Sequence, residues 1–205
     1  ECVETNDKRR FAFDGTGGDY RCELLSVKGD EVVVRVGART AGLPESPLRI
    51  TLVQAVSRGE RMDWTLQKAT ELGVRTIVPV LSARSVVRLD QQQAEKKLRH
   101  WQAIVASACE QCGRSVVPDL RAPQEFGSFL ASSTREGQRF VLSPTGPASL
   151  AGLTSVGARV ELLIGPEGGL DDAELERAAA AGFVPVRLGP RVLRTETAGI
   201  VALTV

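Results

Sequence analysis

The spacing of apolar and polar residues changes once along this chain, near residue 48. Over residues 10–36, apolar or β-branched residues partly alternate with polar ones in three short runs, Arg10–Phe13, Tyr20–Val27 and Glu31–Val36. Asp14-Gly15-Thr16-Gly17-Gly18 and Lys28-Gly29-Asp30 separate the runs with turn chemistry. The pattern predicts small antiparallel strands. A strand, not a helix, follows the glycine cluster, so it reads as a hairpin turn and not as a phosphate loop. Gly37 to Pro47 holds two prolines and two glycines and reads as a linker.

From Leu48 onward strands alternate with helices. Arg49–Ala55 is a strand, and Glu60–Gly73 fits a helix with Met62, Leu66, Ala69 and Leu72 along one face and Gly73 as its stop. Thr76–Leu81 has the composition of a buried strand. Gln92–Cys112 reads as a long helix whose seam of Leu98, Trp101, Val105, Ala108 and Cys112 steps by three and four. Arg139–Leu142, Val160–Ile164 and Val184–Leu188 are further short apolar strands. Between the last two lies a helix with Asp171 as N-cap, Glu174 completing a capping box, and Gly182 as C-cap. This alternation predicts an α/β fold with a mostly parallel sheet over residues 48–205, preceded by a small β unit and linker over residues 1–47.

Three of the strands end alike, in Leu142-Ser143-Pro144, Ile164-Gly165-Pro166 and Leu188-Gly189-Pro190. Glycine admits close backbone approach, and proline stops a strand. Ligands of open α/β sheets bind outside the carboxyl ends of the strands, so neighbouring strands with these ends converge on one pocket. A ligand across these turns is held largely by main-chain groups.

Composition narrows the class. At 205 residues, 42% hydrophobic and 25% charged, the chain reads as soluble and globular. It has no apolar run long enough for a membrane span and no signal-peptide character at Glu1–Arg10, and it lacks an initiator Met, as the ordered part of a longer chain would. Cys2, Cys22, Cys109 and Cys112 are too few and too unevenly placed for a disulfide framework, which points to reduced thiols and a cytoplasmic setting. Net charge is +1, yet residues 75–121 hold eight basic residues against four acidic ones. That excess suits phosphate contacts and equally suits a solvated helix face.

Several chemistries lack their material. There is no Gly-x-x-x-x-Gly-Lys-Ser/Thr loop and no Gly-x-Gly-x-x-Gly after a strand, which argues against P-loop and Rossmann sites. His100 is the only histidine and sits in a polar stretch, so a Ser-His-Asp triad or a histidine metal site is not expected. Cys109 and Cys112 fall late in a predicted helix, facing the seam, and read as small buried residues instead of a zinc or redox pair.

Ile164-Gly165-Pro166-Glu167-Gly168-Gly169, followed by Leu188-Gly189-Pro190-Arg191-Val192-Leu193-Arg194-Thr195-Glu196-Thr197-Ala198, closely resembles the signature of the bacterial 16S ribosomal RNA uridine-N3 methyltransferases, of the SPOUT class of S-adenosylmethionine enzymes. Gln67–Val74, Glu110–Arg114 with Pro118, and Phe13–Gly17 also resemble that family, the last its PUA-like N-terminal β-barrel. The family carries more sequence ahead of the Asp-Gly turn, including a basic RNA-binding segment. Only thirteen residues precede Asp14 here, so the expected barrel is incomplete. The resemblance implies a SPOUT-type sheet with a C-terminal trefoil knot, the tail from about Arg191 passing through a loop, and knots are rare exceptions to chain topology. It further implies S-adenosyl-L-methionine as cofactor, 16S ribosomal RNA or the 30S subunit as substrate, and a homodimer, with no metal and no membrane.

On this resemblance the cofactor site comprises Leu142, Ser143, Ile164, Gly165, Pro166, Glu167, Gly168, Gly169, Leu188, Gly189, Val192, Leu193, Arg194, Thr195 and Thr197. Gly165, Gly168 and Gly189 are expected to keep the approach clear of side chains. Glu167 and Arg194 are the catalytic candidates: in one scheme a carboxylate such as Glu167 accepts the proton, in the other Arg194, Arg114 or Lys68 stabilises a uracil anion instead, and the sequence does not choose between them. Glu71 and Glu196 are further candidate carboxylates. Lys68, Glu71, Gln111 and Arg114 are the candidate substrate-binding residues. Two other readings stay open: a non-catalytic RNA-binding protein, and an α/β protein that binds another nucleotide.

Overall fold

Four antiparallel strands open the chain: β1 (Val3–Glu4), β2 (Arg10–Phe13), β3 (Gly18–Lys28) and β4 (Glu31–Ala41), paired in that order. They belong to a computed structural model that describes residues 3–4, 10–134, 136–153 and 157–205; Cys2 lies outside the described residues. The glycine cluster is the expected hairpin turn, and the Asp14 carboxylate organises it. Asp14 Oδ1 accepts the Thr16 amide and hydroxyl, both at 2.8 Å, and the Gly18 amide at 3.1 Å. These bonds, the Thr16 hydroxyl foremost, hold the Asp14 carboxyl well below the usual carboxylate range. Strand β4 is longer than expected. Register shifts along the β3–β4 ladder let pairing continue through Tyr20↔Arg39 to Gly18↔Ala41, so the first part of the expected linker is strand.

The remaining elements are β5 (Arg49–Ala55), α1 (Glu60–Glu71), β6 (Thr76–Leu81), α2 (Gln91–Cys112), β7 (Asp119–Leu120), β8 (Gln124–Glu125), α3 (Phe126–Ser132), β9 (Gln138–Leu142), β10 (Ala148–Ser149), β11 (Arg159–Ile164), α4 (Asp172–Ala180), β12 (Val184–Arg187) and α5 (Thr195–Thr204). Their strands form one sheet in the order β10-β12-β9-β11-β5-β6-β7, with β8 also beside β6, and every pair is parallel. The α/β fold with a parallel sheet is the one the alternation predicts.

Both faces of this sheet are covered, which is why its central strands are apolar runs without alternation. Successive side chains of a strand point to opposite faces. Leu52 and Leu162 therefore join the core made with Met62, Leu66, Trp101 and Ala202 of α1, α2 and α5. Val53 and Leu163 join the one made with Phe126, Phe129 and Ala178 of α3 and α4.

Caps set the helix limits. Asp90 accepts the Gln93 amide and begins α2 with a capping box, and Asp171 with Glu174 does the same for α4, as expected. The C-cap of α4 is Ala181, one residue before the expected Gly182. On α2, Trp101, Val105 and Ala108 are buried as the stepping expects, but the buried cysteine is Cys109 and Cys112 is only half-buried.

The small sheet is fixed to the segment after α2. Gly17 donates to the Ser115 carbonyl at 2.9 Å, Val117 to that of Gly15 at 3.0 Å, and Thr16 bridges Val116. Arg114 locks the joint. Its buried guanidinium donates to Glu45 (3.1 and 2.5 Å), to the Thr70 carbonyl (2.7 Å) and to the Val74 carbonyl (3.2 Å). Among the described residues, no helix is long and apolar enough to cross a membrane, and no group of three or more His, Cys, Asp or Glu is placed to hold a metal ion.

Candidate cofactor pocket

Because β12, β9 and β11 are adjacent and parallel, their carboxyl ends and following loops come to one place. They enclose a cavity of about 550 Å³, a size typical of small-molecule sites. Leu142, Ser143 and Pro144 form one wall, Ile164 to Glu167 with Gly169 a second, and Leu188, Gly189 and Arg191 to Glu196 a third. Of the three prolines, Pro144 and Pro166 line the cavity and Pro190 does not.

All but two of the expected cofactor residues line this cavity. Gly168 turns away: its carbonyl accepts Arg84 Nη1 at 3.0 Å, and a Cβ there would meet the Arg84 side chain at 3.4 Å. Thr197 stands further into α5 and is not part of the wall. A Cβ on Gly165 would meet the Leu170 amide of its own loop at 3.1 Å, so this glycine is set by loop packing. Gly189 is needed for its backbone, with φ of +152° and nothing within 4 Å of an added Cβ.

Charge gathers at the mouth. Arg61, in the first turn of α1, donates from Nη1 to Glu167 Oε1 at 3.0 Å, and its Nε lies 3.9 Å from Glu196 Oε1. Glu196 Oε2 is buried and has no hydrogen-bond partner among the described residues. Arg194 is exposed, and its side chain makes no hydrogen bond or ion pair among the described residues.

The four expected substrate-binding residues are not part of the cavity wall. Lys68 Nζ is bonded to Glu71 at 2.8 and 3.0 Å, and Gln111 is exposed on α2. Arg114 lies inside the joint, where four hydrogen bonds from its guanidinium go to Glu45 and to the Thr70 and Val74 carbonyls. His100 is on the surface, its Nε2 2.9 Å from Asp63 Oδ2.

Arg61 at the mouth and Gln54 behind the wall escaped the sequence reading. Arg61 had a signal, since a cation in the first turn of a helix opposes the macrodipole and calls for a local anionic partner. Gln54 had one too, as the polar residue near the end of an apolar strand. It is fully buried, and its Nε2 donates to Thr195 Oγ1 at 3.0 Å.

A doubly covered parallel sheet with a glycine-rimmed cavity at its strand ends defines a small-molecule-binding α/β protein. The family of RNA methyltransferase domains matches residues 44–205. The ribosomal RNA small subunit methyltransferase E of Buchnera aphidicola is 35% identical over 192 residues, 94% of this chain and 76% of that protein. Its Bacillus subtilis counterpart is 34% identical over 201 residues, 92% of this chain and 77% of that protein. A Neisseria gonorrhoeae ribosomal RNA small subunit methyltransferase E, solved bound to S-adenosyl methionine, superposes with a TM-score of 0.87 at 37% identity, over 97% of this chain and 81% of that one. A Legionella pneumophila protein solved with bound S-adenosyl methionine gives 0.91 at 38% identity, over 100% and 82%. The chain belongs to the ribosomal RNA small subunit methyltransferase E family, and it is an RNA methyltransferase.

Proposed function

We propose that this chain uses S-adenosyl-L-methionine to methylate N3 of a specific uridine in the 16S ribosomal RNA of the small subunit, in the cytoplasm and without a metal. The observation that carries the reading is the cavity at the ends of β9, β11 and β12. Its walls combine apolar side chains (Leu142, Ile164, Leu188, Val192, Leu193) with main-chain groups of two glycine turns. That donor set fits an adenosine ligand, whose base needs apolar faces and backbone partners along its edge. When bound, the cofactor supplies an electrophilic methyl on a positively charged sulfur.

The chain's own residues do the rest. The three loops orient the ligand, and positioning alone contributes about 7–11 kcal/mol at best in such reactions. Glu167 is the assigned proton acceptor: Arg61 occupies its Oε1, and Oε2 has no partner among the described residues. Removal of the N3 proton by a positioned base contributes about 10²–10⁴ in rate. Arg194, unpaired at the rim, stabilises the developing uracil anion.

The same reading assigns residues 1–47 to a PUA-like RNA-binding unit and 48–205 to a SPOUT domain with a trefoil knot. Supporting the knot, the tail from Arg191 runs past the strand ends before α5 lies against α1, β5 and β11. Supporting a homodimer, α5 carries Ala198-Gly199-Ile200-Val201-Ala202-Leu203 on all its sides, and Val192 and Val205, close to α5 in sequence, and Trp64 on α1, which packs against α5, are exposed. Arg191 and Arg194 are exposed at the mouth and Arg58 is exposed ahead of α1, and with the outward charges of residues 75–121 they offer phosphate contacts to RNA.

The test is methyl transfer from S-adenosyl-L-methionine to ribosomal RNA and to 30S subunits, with the modified base mapped. Product at uridine N3, with Glu167→Gln and Arg194→Ala keeping cofactor affinity but losing turnover, is the expected result. No cofactor binding by calorimetry, or a methyl group on another atom, overturns the reading.

A further inference from the structure

Gln54 is the most conspicuous polar group that the reaction above does not use. It stands near the carboxyl end of β5, fully buried among apolar neighbours. Its Nε2 donates to the Ala55 carbonyl at 3.2 Å and to Thr195 Oγ1 at 3.0 Å. The Thr195 hydroxyl in turn donates to the Gly165 carbonyl at 2.6 Å. Gly165 and Thr195 both line the cavity, and they lie on separate walls, one in the loop after β11 and one at the start of α5.

The remaining atom, Gln54 Oε1, is buried and has no hydrogen-bond partner among the described residues. The facing residue is Gly199 of α5, where a Cβ would come within 3.0 Å of that oxygen. A buried, half-satisfied amide is unfavourable for stability, and a leucine or methionine of similar size would fit the apolar surroundings better. An amide retained at such a position, with a glycine opposite making room for it, points to a use other than folding.

We propose that Gln54 is a positioning residue for the cofactor pocket. It acts through Thr195, holding the first turn of α5 at a fixed distance from the Gly165 turn, so that the two walls are in register before a ligand arrives. The relay links three segments far apart in sequence, and it is the single side-chain hydrogen-bond path among the described residues from β5 to both walls. The ligand it serves is the S-adenosyl-L-methionine of the proposed function, so the inference rests on that reading.

Gln54→Met removes the amide and keeps the volume. The expected result has three parts: a melting temperature equal to or above that of the wild-type chain, faster amide exchange at residues 195–199 without any ligand, and a cofactor Kd raised about tenfold with kcat changed much less. Thr195→Val should raise Kd similarly, and the double variant should be no worse than either single one, because both substitutions cut one path. Gln54→Glu, which keeps an acceptor but removes the donor, should not rescue. Unchanged exchange in α5, unchanged Kd, or additive losses overturn the proposal. A fall in melting temperature with normal Kd shows a purely structural role and overturns it as well. If the wild-type chain binds no S-adenosyl-L-methionine, the functional reading fails by itself, and the exchange measurement still decides whether Gln54 orders α5.

Discussion

Arg139 offers the sharpest test of what holds the sheet to α4. Its side chain is buried, and its guanidinium donates to Glu161 Oε2, to the Ala181 carbonyl and to Ser133 Oγ, each at 2.6 Å. It also lies 4.2 Å from the centre of the Phe183 ring. Burial pushes the Glu161 carboxyl above its usual range even though Arg139 pulls the other way, so the pair barely offsets its own desolvation. Arg139→Met therefore leaves a buried carboxylate uncompensated, at a cost of about 3–5 kcal/mol. For a domain of this size that is a melting temperature lower by about 6–20 °C. Adding Glu161→Leu should recover most of the loss, with about 1–3 kcal/mol remaining for the Ala181 carbonyl that lacks a donor. The pH dependence has a definite sign. A carboxyl whose folded pKa is raised takes up protons on folding, so it weakens the fold above that pKa and ceases to do so below it. The deficit of Arg139→Met should thus shrink as pH falls from 8 toward the Glu161 range. Urea titrations of the four proteins at pH 8 and 5 measure all of this. A single-variant loss under about 1 kcal/mol, or no recovery in the double variant, refutes the reasoning.

Arg61→Ala should cost less than about 1 kcal/mol of stability, because the side chain is half exposed, yet lower methyl transfer at least about tenfold by releasing Glu167; turnover within twofold of wild type would remove Arg61 from the site. Cys109 is buried, and desolvation raises its thiol to about 11, so native protein at pH 8 should resist iodoacetamide at Cys109 and react there only on unfolding, as peptide mass mapping would show. Asp14 has the opposite sign to Glu161. Its folded pKa is depressed, so its contribution is intact above the ordinary aspartate pKa of about 3.9 and declines as pH falls below it. Acid should therefore loosen the β2–β3 turn first, seen as faster proteolysis there at pH 3, and Asp14→Asn should remove that pH dependence.

The parallel sheet was legible because covering both faces makes β5, β6, β9 and β11 largely apolar without strict alternation. The two-residue strands β7, β8 and β10 are too short to carry a period, and α3 spans only seven residues, less than the pattern of a helix needs to repeat. The long β4 was cut short for a different reason. Its pairing with β3 shifts register, so residues 37–41 lose the alternation that marks a strand while keeping the ladder.

The cavity itself was legible because glycine and proline act on their own backbone, and a local constraint is visible in a local sequence. Charged residues carry no such mark. Arg114 and Arg194 read alike as cations in family-like motifs, but one is enclosed by Glu45, Thr70 and Val74 and the other is unpaired at the cavity mouth. What separates them is burial, which only the packing of distant segments decides. The relay from Gln54 to Thr195 spans 141 residues of sequence and rests on the same packing. Its trace in the sequence is a pair of violations, a glutamine in an apolar strand and a glycine inside a helix, each unfavourable alone. In the fold they face each other, so each accounts for the other. A polar residue on a buried strand opposite a helical glycine therefore marks a contact that periodicity cannot show, and here that contact lies directly behind the proposed cofactor pocket.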